Sequence, residues 1–234
     1  MQRTAVVIGA SRGIGAAVVE LLANSDRYQS IHAVARTVGA SAHAAVATHR
    51  VDAGDEAQLR ELASRIEGPI DLLLHCVGAL DVGPRTPEKS LADLDPALLI
   101  AAYTRNVVPA ALVLKHFATH LRRSSEAVAI VLSAKVGSIG DNRLGGWYGY
   151  RAAKAALNQI IHTAAIELGR GGGPRVLAVH PGTTYTQLSN RYVAKRAGVA
   201  PASVTAQRLL RLAAEATPQQ SGSFVNWDGT PLPW

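Results

Sequence analysis

Short runs of apolar and β-branched residues recur along this chain at Thr4–Gly9, Ile31–Ala35, Val46–Val51, Ile70–Leu74, Val128–Leu132 and Val176–Val179, with helix-length segments between most of them. Several are apolar at nearly every position. A strand of that kind must be covered on both faces, and successive buried strands run parallel only when crossover connections carry the chain back. The alternation points to a doubly wound α/β domain. Apolar periodicity over Ile14–Ala23 follows the first run. Asp55 with Gln58 gives a capping-box-like start to a helix ending near Ile66, and Asp95 with Pro96 opens a long helix toward Leu121. The helix from about Trp147 to Leu168 carries Ala, Leu and Ile on most of its faces and reads as buried. Gly169–Pro174 stops it, and a last helix, Ser203–Ala216, precedes a short strand near Phe224 and Val225. Thr183–Pro201 holds Tyr185, Tyr192 and several cations without a firm pattern, and reads as a mobile flap over a pocket.

A length of 234 residues suits one domain over 1–234, and 48% hydrophobic against 18% charged residues suits a packed interior. The formal charge of +7 raises the question of a nucleic-acid partner. The cations are dispersed, however: the densest pairs are Arg122-Arg123 and Lys195-Arg196, and aromatics are only 5%, so no nucleic-acid partner is expected. No apolar run approaches the roughly 18 to 20 residues of a membrane span, and Ala5–Ala10 is too short for a secretion signal, so neither a membrane partner nor export is expected. The single cysteine, Cys76, excludes an internal disulfide and fits the cytoplasm. His116 and His120 share a helix face without the rest of a zinc set, so no metal is expected, and the absence of Gly-x-Ser-x-Gly disfavours a serine hydrolase.

Two motifs carry chemistry. Gly9-Ala10-Ser11-Arg12-Gly13-Ile14-Gly15 lies between a strand and a helix, where glycine permits left-handed backbone and lets a pyrophosphate approach the positive end of the helix. Tyr150 and Lys154 stand four residues apart near the start of the long late helix, on one face. An ammonium about 4 Å from a phenol is worth up to roughly 4 kcal/mol at an effective dielectric of 20, on the order of three pKa units. That would bring the tyrosine into range for general acid and base work near neutrality.

With these motifs the chain resembles the short-chain dehydrogenase/reductase family over essentially its whole length, with its Rossmann fold. Gly137-Ser138-Ile139, Gly145-Gly146-Trp147-Tyr148, the run Tyr150 to Asn158, and Trp227-Asp228-Gly229 are closest to its C-factor and sniffer-like carbonyl reductase branch. The resemblance implies a single NAD(P)-binding domain that transfers hydride between nicotinamide and a carbonyl or alcohol. In it Gly9, Ser11, Arg12, Gly13, Ile14 and Gly15 hold the pyrophosphate, and Tyr150 exchanges the proton with the substrate oxygen. Lys154 lowers the tyrosine pKa and bonds the nicotinamide ribose. Asn106 supports a water relay to that lysine, Asp52 contacts adenine, and Val77 and Gly78 follow the fourth strand. Pro181 and Gly182, with Thr184 and Thr186, resemble the segment that fixes the carboxamide. Arg36 after the second strand, with Arg12, suits the extra phosphate of NADP, so NADP(H) is favoured over NAD(H).

The chain departs from the pattern in three places. Ile8 replaces a threonine, His75-Cys76-Val77-Gly78 replaces Asn-Asn-Ala-Gly, and Ala134 falls where the catalytic serine is usual. Ser133 is the choice to orient the carbonyl, with Ser138 or no serine as alternatives. These departures keep open a catalytically weak nucleotide-binding signalling or sensor protein of the same fold. Trp147, Tyr148, Tyr185 and Tyr192 suggest an apolar substrate wall. Alanine-rich faces over Ala110–Ala118 and Ala152–Ala165 suit pairing into a homodimer or homotetramer.

Overall fold

The computed structural model describes residues 3–82, 86–187, 189–193 and 198–234. Strand β1 (Thr4–Ile8) turns sharply into α1 (Gly13–Ala23), and β2 (Ser30–Ala35) and β3 (Val46–Arg50) follow with a loop between them. Next come α2 (Glu56–Arg65), β4 (Leu72–His75), α3 (Pro96–Asn106), α4 (Val108–Arg122), β5 (Val128–Leu132), α5 (Tyr148–Leu168) and β6 (Arg175–His180). The chain ends through β7 (Thr184–Tyr185), α6 (Asn190–Val193), β8 (Ala200–Pro201), α7 (Ala202–Glu215) and β9 (Phe224–Asn226).

The main sheet is parallel throughout, in the order β3-β2-β1-β4-β5-β6-β9. The chain starts at the centre, winds out to β3, then returns to the other side of β1. Neighbouring loops diverge at that reversal, so a crevice opens beyond the carboxyl ends of β1 and β4.

Alternate residues feed two cores. Ile8, Leu73 and Val131 pack with Leu59, Phe117 and Leu157 from α2, α4 and α5; Val7, Leu74 and Ile130 pack with Val18, Leu22 and Leu209 from α1 and α7. Each such side chain contributes about 1.5–3 kcal/mol on burial. The doubly wound single domain expected from the sequence is what forms.

The expected helix start at Asp55 is present: its carboxylate accepts from Gln58 N–H at 3.1 Å, and the Gln58 side chain returns to it at 2.8 Å. Three expectations need correction. The long middle helix breaks at Val107, because Pro109 has no N–H to offer the preceding turn and its ring crowds that turn's carbonyl. Taken together, Pro96–Arg122 contains an 18-residue window of mean hydropathy 1.6, long and apolar enough by composition to cross a membrane, contrary to the sequence expectation. In the fold its apolar side lies in the core through Val113, Phe117 and Leu121. Second, α5 is buried along one stripe, from Gly149 through Lys154, Leu157, Ile161 and Ala165 to Leu168, while Ile166 is exposed. Ala110, Ala153 and Ala165 from the alanine-rich stretches face this interior rather than outward. Third, the segment after β6 is not patternless: β7 and β8 pair in parallel, with α6 between them. Lys195-Arg196 and the neighbouring part of the expected flap lie outside the described residues.

Candidate active site

Three glycines shape the turn between β1 and α1. Gly9 has φ +88°, and a Cβ there would stand 3.1 Å from the Cys76 carbonyl carbon. A Cβ on Gly15 would lie 2.2 Å from the Gly9 oxygen, so the first turn of α1 rests directly on the loop. A side chain at either position would pry the helix end away from the crevice. Arg12 is the N-cap residue in extended conformation and gives no side-chain cap, so no side chain from that position covers the amides there. Ser11 and Arg12 are exposed, Ile14 is half-buried, and Arg12 hydrogen-bonds Gln187 across the crevice. Arg36 is exposed one residue beyond β2, beside β1 in the sheet. Asp52 is exposed two residues beyond β3, and its carboxylate accepts from Gly54 N–H at 2.9 Å, closing a turn.

Across the crevice, the loop after β5 lies against α5. A Cβ on Gly137 would be 2.7 Å from the Lys154 Cβ and 2.9 Å from its carbonyl carbon. Lys154 is 3% exposed, and its ammonium donates to the Leu132 carbonyl at 3.0 Å. Burial lowers its pKa to about 8, leaving it largely protonated at neutrality. The ammonium lies 5.8 Å from the Tyr150 ring centroid, over the ring. Burial raises the Tyr150 phenol above its ordinary value near 10, and this corrects the sequence expectation. The predicted lysine-driven depression requires an ammonium near the hydroxyl, whereas here it stands over the ring and desolvation prevails.

Asn106 ends α3 fully buried. Its amide donates to the carbonyls of Ala79 at 2.9 Å and Ala102 at 3.0 Å, and its oxygen accepts from Ala79 N–H at 3.0 Å. It thereby ties the loop after β4 to the break between α3 and α4. A Cβ on Gly78 would sit 3.3 Å from the Asn106 oxygen and 3.5 Å from the Lys154 ammonium, so both groups converge on the same small space. His75, ending β4 below them, is fully buried with neither ring nitrogen hydrogen-bonded among the described residues. Burial and the Lys154 charge lower its pKa to about 3, so it is a neutral imidazole.

Both candidate serines have partners within the fold. Ser133 shares its sheet face with Val131, which packs toward α5, and its hydroxyl donates to Asn158 at 2.5 Å. Among the described residues no hydrogen bond joins it to Tyr150. Ser138 accepts from Asp141 N–H at 3.0 Å and approaches the Trp234 carbonyl at 3.4 Å.

Beyond β6, Pro181 is half-buried and Gly182 has φ +79°, with the Trp227 ring 2.9 Å from where its Cβ would be. The Thr184 hydroxyl is buried against Thr205 at 2.8 Å, and the Thr186 hydroxyl meets Ser189 at 3.0 Å. Thr186 also lies against Gly13, bringing this segment over the glycine turn. Trp147 is the only non-glycine residue with positive φ among the described residues, at +53°. Its ring meets those of Tyr150 and Tyr192 edge-on, at 6.3 and 5.5 Å, and the Tyr192 hydroxyl donates to Asp81 at 2.5 Å.

A small open recess lies beside Tyr150. Leu80, Val82, Pro87, Leu98 and Ala102 give it apolar walls, and Thr86 and Glu88 are polar. Sequence reading missed Glu88 and His75 as site residues. A polar residue ending an apolar strand was a signal for His75; nothing local marked Glu88.

The sequence model of the family described as short chain dehydrogenase matches residues 3–197. The chain is 29% identical to 1-hydroxy-2-glutathionyl-2-methyl-3-butene dehydrogenase of Rhodococcus sp. (strain AD45), over 99% of each. It is 28% identical to C-signal of Myxococcus xanthus, over 75% of this chain and 100% of that protein. Among solved structures, the carbonyl reductase Sniffer of D. melanogaster superposes with a TM-score of 0.87 at 21% identity, over all of both chains. The chain belongs to the short-chain dehydrogenase/reductase family, and is an oxidoreductase of the nicotinamide-dependent kind.

Proposed function

We propose that the protein, acting as one domain over 1–234, is an NADPH-dependent reductase of aldehydes or ketones, with Tyr150 as proton donor to the carbonyl oxygen. The observation that carries this is the convergence of Tyr150, Lys154 and Asn106 beside an apolar recess, across the crevice from the glycine-rich turn. The crevice fits a dinucleotide. A Cβ at Gly9 or Gly15 would force the turn away from β4 or from α1, and the Arg12 N-cap position leaves the start of α1 without a side-chain cap. When bound, the nicotinamide supplies hydride to the carbonyl carbon.

Gly9, Ser11, Arg12, Gly13, Ile14 and Gly15 hold the pyrophosphate, and Val77 and Gly78 form the opposite lip. Asp52 lies on the adenine side. Pro181 and Gly182, backed by Trp227, bear on the carboxamide end. Thr184 and Thr186 shape that segment through Thr205 and Ser189. The two cations at the carboxyl ends of β1 and β2, Arg12 and Arg36, favour a dinucleotide carrying an extra phosphate over NAD(H). Lys154 and Asn106 return protons toward Tyr150 from the space beside Gly78. The commitment of Ser133 to Asn158 favours a second reading, a nucleotide sensor with weak turnover.

Ile100 and Tyr103 of α3 and Ile166 of α5 remain exposed, which supports a homodimer or homotetramer seam. The single cysteine, half-buried, supports a cytoplasmic location.

The test is a fluorescence titration with NADPH and NADH, followed by nicotinamide oxidation against aldehydes, ketones and quinones. Tighter NADPH binding with carbonyl-dependent oxidation supports the reading. Binding without turnover of any carbonyl favours the sensor, and no binding of either cofactor overturns both.

A further inference from the structure

The recess beside Tyr150 has a carboxylate that the reaction above leaves unused. Glu88 is 8% exposed and borders the recess with Tyr150. Its Oε2 accepts from the N–H of Gly149, in the first turn of α5, at 3.2 Å. Its Oε1 lies 2.9 Å from the point where a Gly149 Cβ would stand, so only glycine there lets the carboxylate lie this close to the helix. An ionised carboxylate offers about four acceptor positions. Among the described residues one donor is supplied and no cation pairs with it. The positive end of α5 favours its negative charge, and neither hydroxyl of the recess lining, Thr86 or Tyr150, bonds to it among the described residues. The oxygen without a protein donor is open to the recess, where a ligand that brings a donor can take it.

We propose that Glu88 is a specificity-determining residue. It selects carbonyl substrates with an apolar body and, away from the carbonyl, a hydrogen-bond donor seated on the unpaired Glu88 oxygen. The donor is an ammonium or a hydroxyl group, since either completes the carboxylate's coordination; the ammonium adds charge. This rests on the reading of Tyr150 as the proton donor at the same recess.

The experiment compares three ketones of equal size, ending in an ammonium, a hydroxyl or a methyl group, with NADPH and either the wild type or Glu88→Gln. The glutamine keeps the volume and an oxygen to accept from Gly149, and removes the charge. In the wild type, KM for the donor-bearing ketones lies on the order of 10- to 100-fold below that for the methyl compound. In Glu88→Gln that preference shrinks at least about tenfold for the ammonium compound, with kcat affected less than KM. Loss for the ammonium alone assigns an amine; loss for both assigns a neutral-tolerant donor site.

The methyl ketone is an internal reference, because damage to the start of α5 lowers all three together. Equal KM values in the wild type, or a uniform fall in Glu88→Gln, overturn the assignment while leaving the reductase intact. Cofactor-bound protein that reduces none of the three overturns both readings, and a parallel NADPH titration distinguishes the cases.

Discussion

Replacing Gly137 by alanine places one methyl group where the loop after β5 meets α5. The new Cβ would stand 2.7 Å from the Lys154 Cβ and 2.9 Å from its carbonyl carbon, about 0.7 Å inside ordinary contact. Neither atom is the free end of a flexible side chain, so the loop or the helix must move. Gly137 does not have positive φ. Without the clash, the substitution would stabilise by about 0.4–1 kcal/mol through the unfolded chain. Overpacking of this kind instead costs about 1–3 kcal/mol, so the sign of the effect is diagnostic. For a chain of this size that is a fall in Tm of roughly 3–10 °C. A displacement approaching 1 Å at Lys154 lowers kcat/KM by tens of fold up to about a hundredfold. Thermal unfolding followed by circular dichroism, with NADPH oxidation on the best carbonyl found, measures both. An unchanged or raised Tm with a normal rate would refute the packing of this loop on α5.

Acid should destabilise the fold through its buried imidazoles. His32, His75 and His180 have pKa values lowered to about 4, about 3 and about 4, chiefly by burial, against about 6.5 when unfolded. Their stabilisation is complete above about pH 6.5 and is lost as pH falls toward 4, by several kcal/mol together, discounted for the partial exposure of His32. Urea midpoints across this range should fall with pH, and a flat profile would contradict it. Arg36→Glu should weaken NADPH binding about 10- to 100-fold while changing NADH binding little, as titration of both would show; equal losses would remove Arg36 from cofactor choice. Light scattering should give twice or four times the chain mass of 24.5 kDa, and a monomer would remove the proposed seam.

The fold was legible because buried strands leave a local record: Val128–Leu132 is apolar at every residue and forms β5 as read. The glycine turn was legible in part for the same reason, since Gly15 answers to the Gly9 carbonyl six residues back, whereas Gly9 answers to Cys76 and Val77 after β4. What the sequence hid depends on distant partners. Ser133 follows β5, but its partner Asn158 is 25 residues on, and only packing shows the bond between them. The Tyr150–Lys154 spacing gave one helix face, yet the height of the ammonium relative to the ring is set by the Leu132 carbonyl. Glu88 reaches α5 across 61 residues, beyond any local signal. The helix break at Val107 was written in Pro109, which sits within an otherwise unbroken apolar pattern.

The proton-donor role of Tyr150 is tested most directly by Tyr150→Phe, with cofactor binding and turnover measured on the same preparation. The variant should bind NADPH within a few-fold of the wild type, because the glycine turn and the arginines are untouched, and its kcat should fall by about 10²–10⁴. A variant that binds cofactor and still reduces carbonyls at a rate near the wild type would show that the proton comes from another group.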